Sequence, residues 1–184
     1  ELDGASGVRV RLDAGAATLI HYQRLDEAAV RGLDLSFDPL AEAAARGGFD
    51  QQHTDIEHQL VNAAVDFRDR GLDGRPIAAD GRVWAAGGAS EAQEIAGILG
   101  SMVHSLRLLI DGGLSLQHSL DAVGLIVDAG PNQLLTMAKL RALRLCHARV
   151  VEAFGAAPVA ANIHAETSWR MMTRDDVHTN ILRS

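Results

Sequence analysis

His164, Glu166, Thr167, Ser168 and Arg170 crowd into the eight residues Ile163-His164-Ala165-Glu166-Thr167-Ser168-Trp169-Arg170. Alternate residues of a strand point the same way, so His164 and Glu166 suit a general acid/base or ligand pair. Thr167, Ser168 and Arg170 would add hydroxyl and guanidinium donors for holding a substrate. If 163–167 is a strand, these groups stand at its carboxyl end, where barrel folds present polar groups to ligands. The plainer reading is a hydrogen-bonded loop that retains polar residues without chemistry.

Other chemistry-bearing residues have weaker patterns. Lys139, Arg141, Arg144 and Arg149 could attract phosphate oxygens, or simply form a solvated helix face. Gly87-Gly88 ahead of a helix could offer amides to an anion, although a plain turn explains the pair without a longer phosphate-loop pattern. His53 and His58 lie near Asp50, Asp55 and Glu57, but their spacing matches no standard ligand set, so no metal site is expected. Cys146 reads as a buried, inert thiol within a helix. Lys139, the chain's only lysine, also falls in a helix; it would have to be the Schiff-base residue of any aldolase-type barrel. Trp84 and Trp169 read as packing or interface aromatics.

The elements that must position these residues alternate between types. Val8–Leu12 has the period of a strand, and a helix is expected from about Ala14 to Arg31. A strand at Leu33–Phe37 leads to a helix at Pro39–Arg46, with proline in its first turn and Gly47-Gly48 as its stop. The spacing of Ile56, Leu60, Ala63, Ala64 and Phe67 predicts a helix over 55–70, with Asp55 as N-cap and Gly71 ending it. A strand within Pro76–Ala86 follows. Ser90 and Gln93 then form a capping-box pair opening a helix whose apolar face runs from Ile95 through Met102 to Ile110. Another helix is expected from Ser115 through Leu120, Val123, Ile126 and Val127 to Gly130. The next runs from Pro131 to Phe154, with Leu134, Leu135, Ala138, Ala142 and Leu145 as its inward face.

Strands alternating with helices indicate a parallel α/β sheet with helices packed outside it. A closed eightfold barrel takes around 250 residues. The 184 residues here therefore read as a single domain that is part of a (β/α)8 TIM-type barrel, with open sheet edges and a tendency to self-associate. The net charge of −7 disfavours a nucleic-acid partner, which would need clustered cations. No apolar run has the roughly 20 residues of a membrane span. One cysteine permits no intrachain disulfide and fits a cytoplasmic protein. The Glu1-Leu2-Asp3-Gly4 start suggests an excerpt of a longer chain.

Three stretches occur in an order and spacing that resemble the methylmalonyl-CoA mutase family: Gly87-Gly88-Ala89-Ser90-Glu91-Ala92-Gln93-Glu94-Ile95-Ala96, Gln133-Leu134-Leu135-Thr136-Met137-Ala138-Lys139-Leu140-Arg141-Ala142 and Ile163-His164-Ala165-Glu166-Thr167-Ser168. The resemblance is strong over 82–184, weaker around 34–48 and nearly undetectable in the first thirty residues. It implies a substrate-binding TIM barrel attached to a separate cobalamin-binding domain, which this chain lacks. It also implies interconversion of methylmalonyl-CoA and succinyl-CoA with adenosylcobalamin in the parent assembly, none of it held by this chain alone.

Catalytic members carry a Tyr-His pair where this chain has Arg82-Val83-Trp84-Ala85-Ala86, read here as part of a strand. The Asp-x-His-x-x-Gly segment that supplies the cobalt ligand is also missing; Asp50–His53 and Asp55–His58 are wrongly spaced. The His-Ala-Glu-Thr-Ser and Met-Met-Thr-Arg pattern of 164–174 is similar to the family's small, non-catalytic subunit. The expected partners are therefore a catalytic large subunit and, in the parent assembly, acyl-CoA. The rival expectation is an active mutase barrel with a site rearranged around His164, Glu166 and Arg170.

Overall fold

The computed structural model describes residues 10–11, 33–48 and 53–183. It contains strands β1 (Val10–Arg11), β2 (Leu33–Asp34), β3 (Ile77–Asp80), β4 (Val123–Ala129) and β5 (Ile163–Thr167). The helices are α1 (Pro39–Arg46), α2 (His53–Asp69), α3 (Arg82–Ala86), α4 (Glu91–Asp111), α5 (Leu116–Ala122), α6 (Gln133–Ala153) and α7 (Val177–Arg183). The helix expected at 14–31 and the outer residues of the strand expected at 8–12 lie outside the described residues.

β1 pairs with β2, and β3, β4 and β5 form a second sheet in chain order; every pairing is parallel. A parallel bridge from Phe37 to Ile77 joins the two sheets. Neighbouring strands are thus consecutive in the chain, with no reversal of order. From β2 to β5 helices fill the crossovers, as parallel neighbours require. The fold class is α/β, as expected.

The helical side of the sheet holds the core. Leu33, Leu35, Phe37, Ile77, Ala79, Val123, Leu125 and Val127 pack there against Leu60, Ala64 and Phe67 of α2, Ile98, Met102, Leu106 and Leu109 of α4, and Leu143 and Val151 of α6. Helix starts follow local signals. Asp38 caps α1, and Ser90 with Gln93 forms the reciprocal capping box of α4. Gly47 ends α1 in the left-handed conformation (φ 82°), which glycine adopts without a Cβ penalty.

Four expectations need correction. Asp55 is not the N-cap of α2 but lies in its first turn. The strand placed within 76–86 stops at Asp80, and Arg82–Ala86 is helical. The reason is local: the Asp80 carboxylate accepts a hydrogen bond from the Arg82 amide at 2.9 Å, turning the chain. Gly81 also fits under α4 only without a side chain, because a Cβ there would stand 2.8 Å from Glu94 Oε1 and 2.9 Å from Ile126 O.

The helix expected over 115–130 ends at Ala122, and Val123–Ala129 is β4. Val123 through Asp128 are all buried between β3, β5 and α4. Such a continuous apolar run is a central parallel strand, and periodicity alone cannot separate it from a buried helix.

Helix α6 begins at Gln133 with Asn132 as its cap, and it faces the other way from expectation. Lys139, Leu143, His147 and Val151 point inward, while Leu134 and Leu145 are 78% and 71% exposed. Two buried polar groups, each positioned by the fold, reversed the face that hydropathy selects.

Candidate functional site

Every strand end after β1 carries an acid. Asp38 follows the Phe37 bridge, Asp80 ends β3, Asp128 lies near the end of β4 and Glu166 near the end of β5. Register places Asp80 beside Ile126, and Asp128 beside Glu166. Parallel strands that advance together therefore bring four carboxylates to one rim of the sheet, the rim where α/β folds place ligands.

Two cations answer these acids in different ways. Arg82, opening α3, pairs through Nη2 with Asp80 at 2.6 Å and through Nη1 with Glu166 at 2.7 Å, so that one guanidinium ties β3 to β5. Its Nε adds bonds of 3.0 and 3.1 Å to the same Asp80 carboxylate. The three side chains keep 15%, 14% and 31% of their surface exposed, leaving solvent access to the strap.

Lys139 instead pairs with Glu94 at 2.6 Å in a nearly sealed setting, their side chains 4% and 2% exposed. The other Glu94 oxygen accepts from the Asp128 amide at 2.8 Å. Burial pushes the Glu94 carboxyl above its ordinary value; the Lys139 ammonium and the Asp128 amide pull the opposite way without cancelling it.

Both oxygens of Asp38 are saturated with donors. Its Oδ1 accepts from the Leu40 and Ala41 amides at 3.0 and 3.1 Å, and its Oδ2 from the Asp80 amide and Ser101 Oγ, both at 2.8 Å. Burial still raises its pKa, and the charge of Asp80 adds to the rise.

His164 and Glu166 share a side of β5 but have different surroundings. Glu166 turns to Arg82, whereas His164 lines a shallow cavity of about 20 Å³ with Asp34, Ser36, Arg75, Gly124 and Asn162. That is room for little more than a water molecule, far below the roughly 300–1,000 Å³ of small-molecule sites. Thr167 is half-buried opposite Ala129. Ser168 is buried; its Oγ accepts from the Arg170 amide at 3.3 Å and its own amide bonds Ala129 O at 2.9 Å, so it caps the short 3₁₀ turn Trp169–Met171. Arg170 is exposed.

Sequence reasoning missed Arg82, Asp80, Glu94 and Lys139 as members of this rim. A signal existed in the acids closing successive strands and in Asp80-Gly81-Arg82, whose short turn returns the guanidinium onto the aspartate. Lys139 is not part of a solvated face, and its ammonium is committed to Glu94. Arg141, Arg144 and Arg149 are exposed. Gly87-Gly88 is the turn closing α3, with Gly88 at φ 93°. Trp84 packs over Gly97, while Trp169 is 77% exposed.

His118 is bonded to Ser115 Oγ at 2.8 Å in its own helix cap, and His147 is buried in α6. No group of three metal-ligating side chains occurs among the described residues, and none of their helices is long and apolar enough to cross a membrane.

Residues 9–184 match the family model described as methylmalonyl-CoA mutase. The chain is 34% identical over 179 residues to the methylmalonyl-CoA mutase small subunit of Propionibacterium freudenreichii subsp. shermanii, covering 94% of this chain and 27% of that protein. It is 38% identical over 187 residues to the methylmalonyl-CoA mutase small subunit of Streptomyces virginiae, covering 96% and 30%. A probable methylmalonyl-CoA mutase small subunit from Mycobacterium bovis is 38% identical over 152 residues, covering 82% and 24%. The chain thus spans between 24% and 30% of the length of these relatives.

Proposed function

The chain belongs to the methylmalonyl-CoA mutase family, an isomerase family, and from that premise we propose that it is part of a small, non-catalytic mutase subunit. In this reading the small subunit supports a catalytic large subunit in the cytoplasm. The assembly carries out the adenosylcobalamin-dependent isomerisation of methylmalonyl-CoA and succinyl-CoA. The chain contributes one section of a (β/α)8 barrel, a placement supported by parallel strands that neighbour one another in chain order.

The observation carrying the reading is the similarity to small subunits across more than nine-tenths of the chain in two relatives. The rim geometry supports it. Arg82, at the front of α3, satisfies Asp80 and Glu166 rather than presenting an acid or base to a substrate. His164, Glu166, Thr167, Ser168 and Arg170 then hold and edge the rim instead of performing chemistry. In the assembly, bound adenosylcobalamin would supply the radical chemistry. This chain's residues order the strand ends.

Light scattering on the full-length subunit, with and without the catalytic subunit, tests the reading alongside turnover. A heterodimer in which only the large subunit's site turns over is expected. Turnover by the small subunit alone with adenosylcobalamin, or no association, would overturn it.

A further inference from the structure

Among the described residues Ser36 is the only non-glycine with a positive φ, 51°, in the left-handed region. A bulge puts it there. The Leu35 amide donates to Arg75 O at 2.9 Å and the Phe37 amide to Pro76 O at 3.4 Å, so two residues of one strand pass a single step of its neighbour. Leu35 and Phe37 are in the core, while Ser36 lines the small cavity beside His164. Strain of this kind persists where the surroundings fix it, and it gathers at binding sites.

Ser36 is only 8% exposed, yet among the described residues its hydroxyl has no hydrogen-bond partner. The Asn162 side-chain amide, on the same cavity, has none there either. Gly124 leaves the space open, since a Cβ there would stand 3.2 Å from Arg75 Cδ and 3.6 Å from Asn162 Oδ1. Buried polar side-chain atoms are nearly always bonded, to protein or to ordered water.

We infer that this cavity binds one ordered water molecule through the Ser36 hydroxyl. A volume of about 20 Å³ is what one water needs and too little for a substrate. Serine and asparagine both donate and accept, as water does, whereas an anion takes donors alone and would meet Asp34. Bound there, the water completes the bulge that delivers Asp38, two residues on, to the Asp80 amide. The inference is independent of the two-subunit reading.

The test is a crystal structure of the full-length subunit at a resolution that shows ordered water, from crystals grown with and without bromide. A single peak within about 3.2 Å of Ser36 Oγ, with no anomalous bromide signal, is the expected result. Ser36→Ala, which keeps the Cβ, should lose that peak. The inference fails if no peak is found, if a side chain from the rest of the subunit fills the cavity, or if Ser36 Oγ bonds protein directly. Bromide in the cavity, or a peak unchanged in Ser36→Ala, overturns it equally. The unaltered subunit alone can overturn the inference, so the test stands even where the variant fails to fold.

Discussion

Two ion pairs stand at the same rim yet belong to different regimes. Lys139–Glu94 is almost completely removed from water, whereas Arg82 with Asp80 and Glu166 remains partly wet. Inside, water cannot replace a lost partner, so each member depends on the other and breaking the pair strands a charge. At the surface, solvent screens the attraction and stands in for a missing group. The buried pair ties α4, α6 and the end of β4 together through the Asp128 amide. The half-buried strap ties β3 to β5. Similar bond lengths therefore carry different energetic weight.

The sharpest break of this comparison is Lys139→Met, which leaves Glu94 buried without its cation. Loss of about 3–5 kcal/mol is expected in urea unfolding of the full-length subunit. The loss should shrink in mild acid, where Glu94 can take up a proton. A double variant, Lys139→Met with Glu94→Gln, should recover part of it. A loss below about 1 kcal/mol for the single change would show that the pair is hydrated.

Next in size is Asp38→Ala. It deletes the cap of α1 and the acceptor shared by the Asp80 amide and Ser101. Capping and unsatisfied-donor costs together predict about 2–3 kcal/mol by the same measurement. Asp38→Asn should cost less, because one oxygen remains to cap the helix and burial already disfavours the charge.

Arg82→Ala probes the half-buried strap. With charge-assisted bonds to two carboxylates and partial access of water to replace them, the expected cost is about 1–2 kcal/mol. Turnover of the assembled enzyme should not change if the strap is structural. A drop in turnover with the complex intact would make Arg82 part of the chemistry.

The same contrast explains what could be read in advance. Capping chemistry is local, so Ser90 with Gln93, Pro39 and Gly47 disclosed helix limits from a few neighbouring residues. The β4 strand after Ala122 depends on distant partners, β3 and β5 flanking Val123–Ala129, and the local turn that ends β3 at Asp80 is tightened by α4 crowding Gly81. The face of α6 was hidden for a related reason. Hydropathy assigns Lys139 and His147 outward, and only Glu94, 45 residues earlier, makes an inward lysine favourable. Of the candidate site, His164 and Glu166 were legible as polar groups ending a strand. Glu166's partner was not, because Arg82 lies 84 residues away, beyond the intervening strand β4.

The smallest expected effect concerns His147, the other polar group on the inward face of α6, and it tests whether burial alone sets titration there. Burial lowers the His147 pKa from its ordinary value near 6.5, and its Nδ1 is buried without a hydrogen-bond partner. Below about pH 6.5 the unfolded chain takes up a proton on this imidazole that the folded chain resists. Stability from this group is therefore complete above that pH and is lost as pH falls from 6.5 towards the lower folded value. Asp38 and Glu94, with raised values, act in the opposite sense: their protonated forms favour the fold, so they cost stability as pH rises above the ordinary carboxylate range. His147→Leu should flatten the acid-side decline below about pH 6.5 and leave the carboxylate contribution in place. Unfolding midpoints taken across that range for both proteins separate the two, and a parallel decline in the variant would show that His147 is not the buried neutral base the geometry describes.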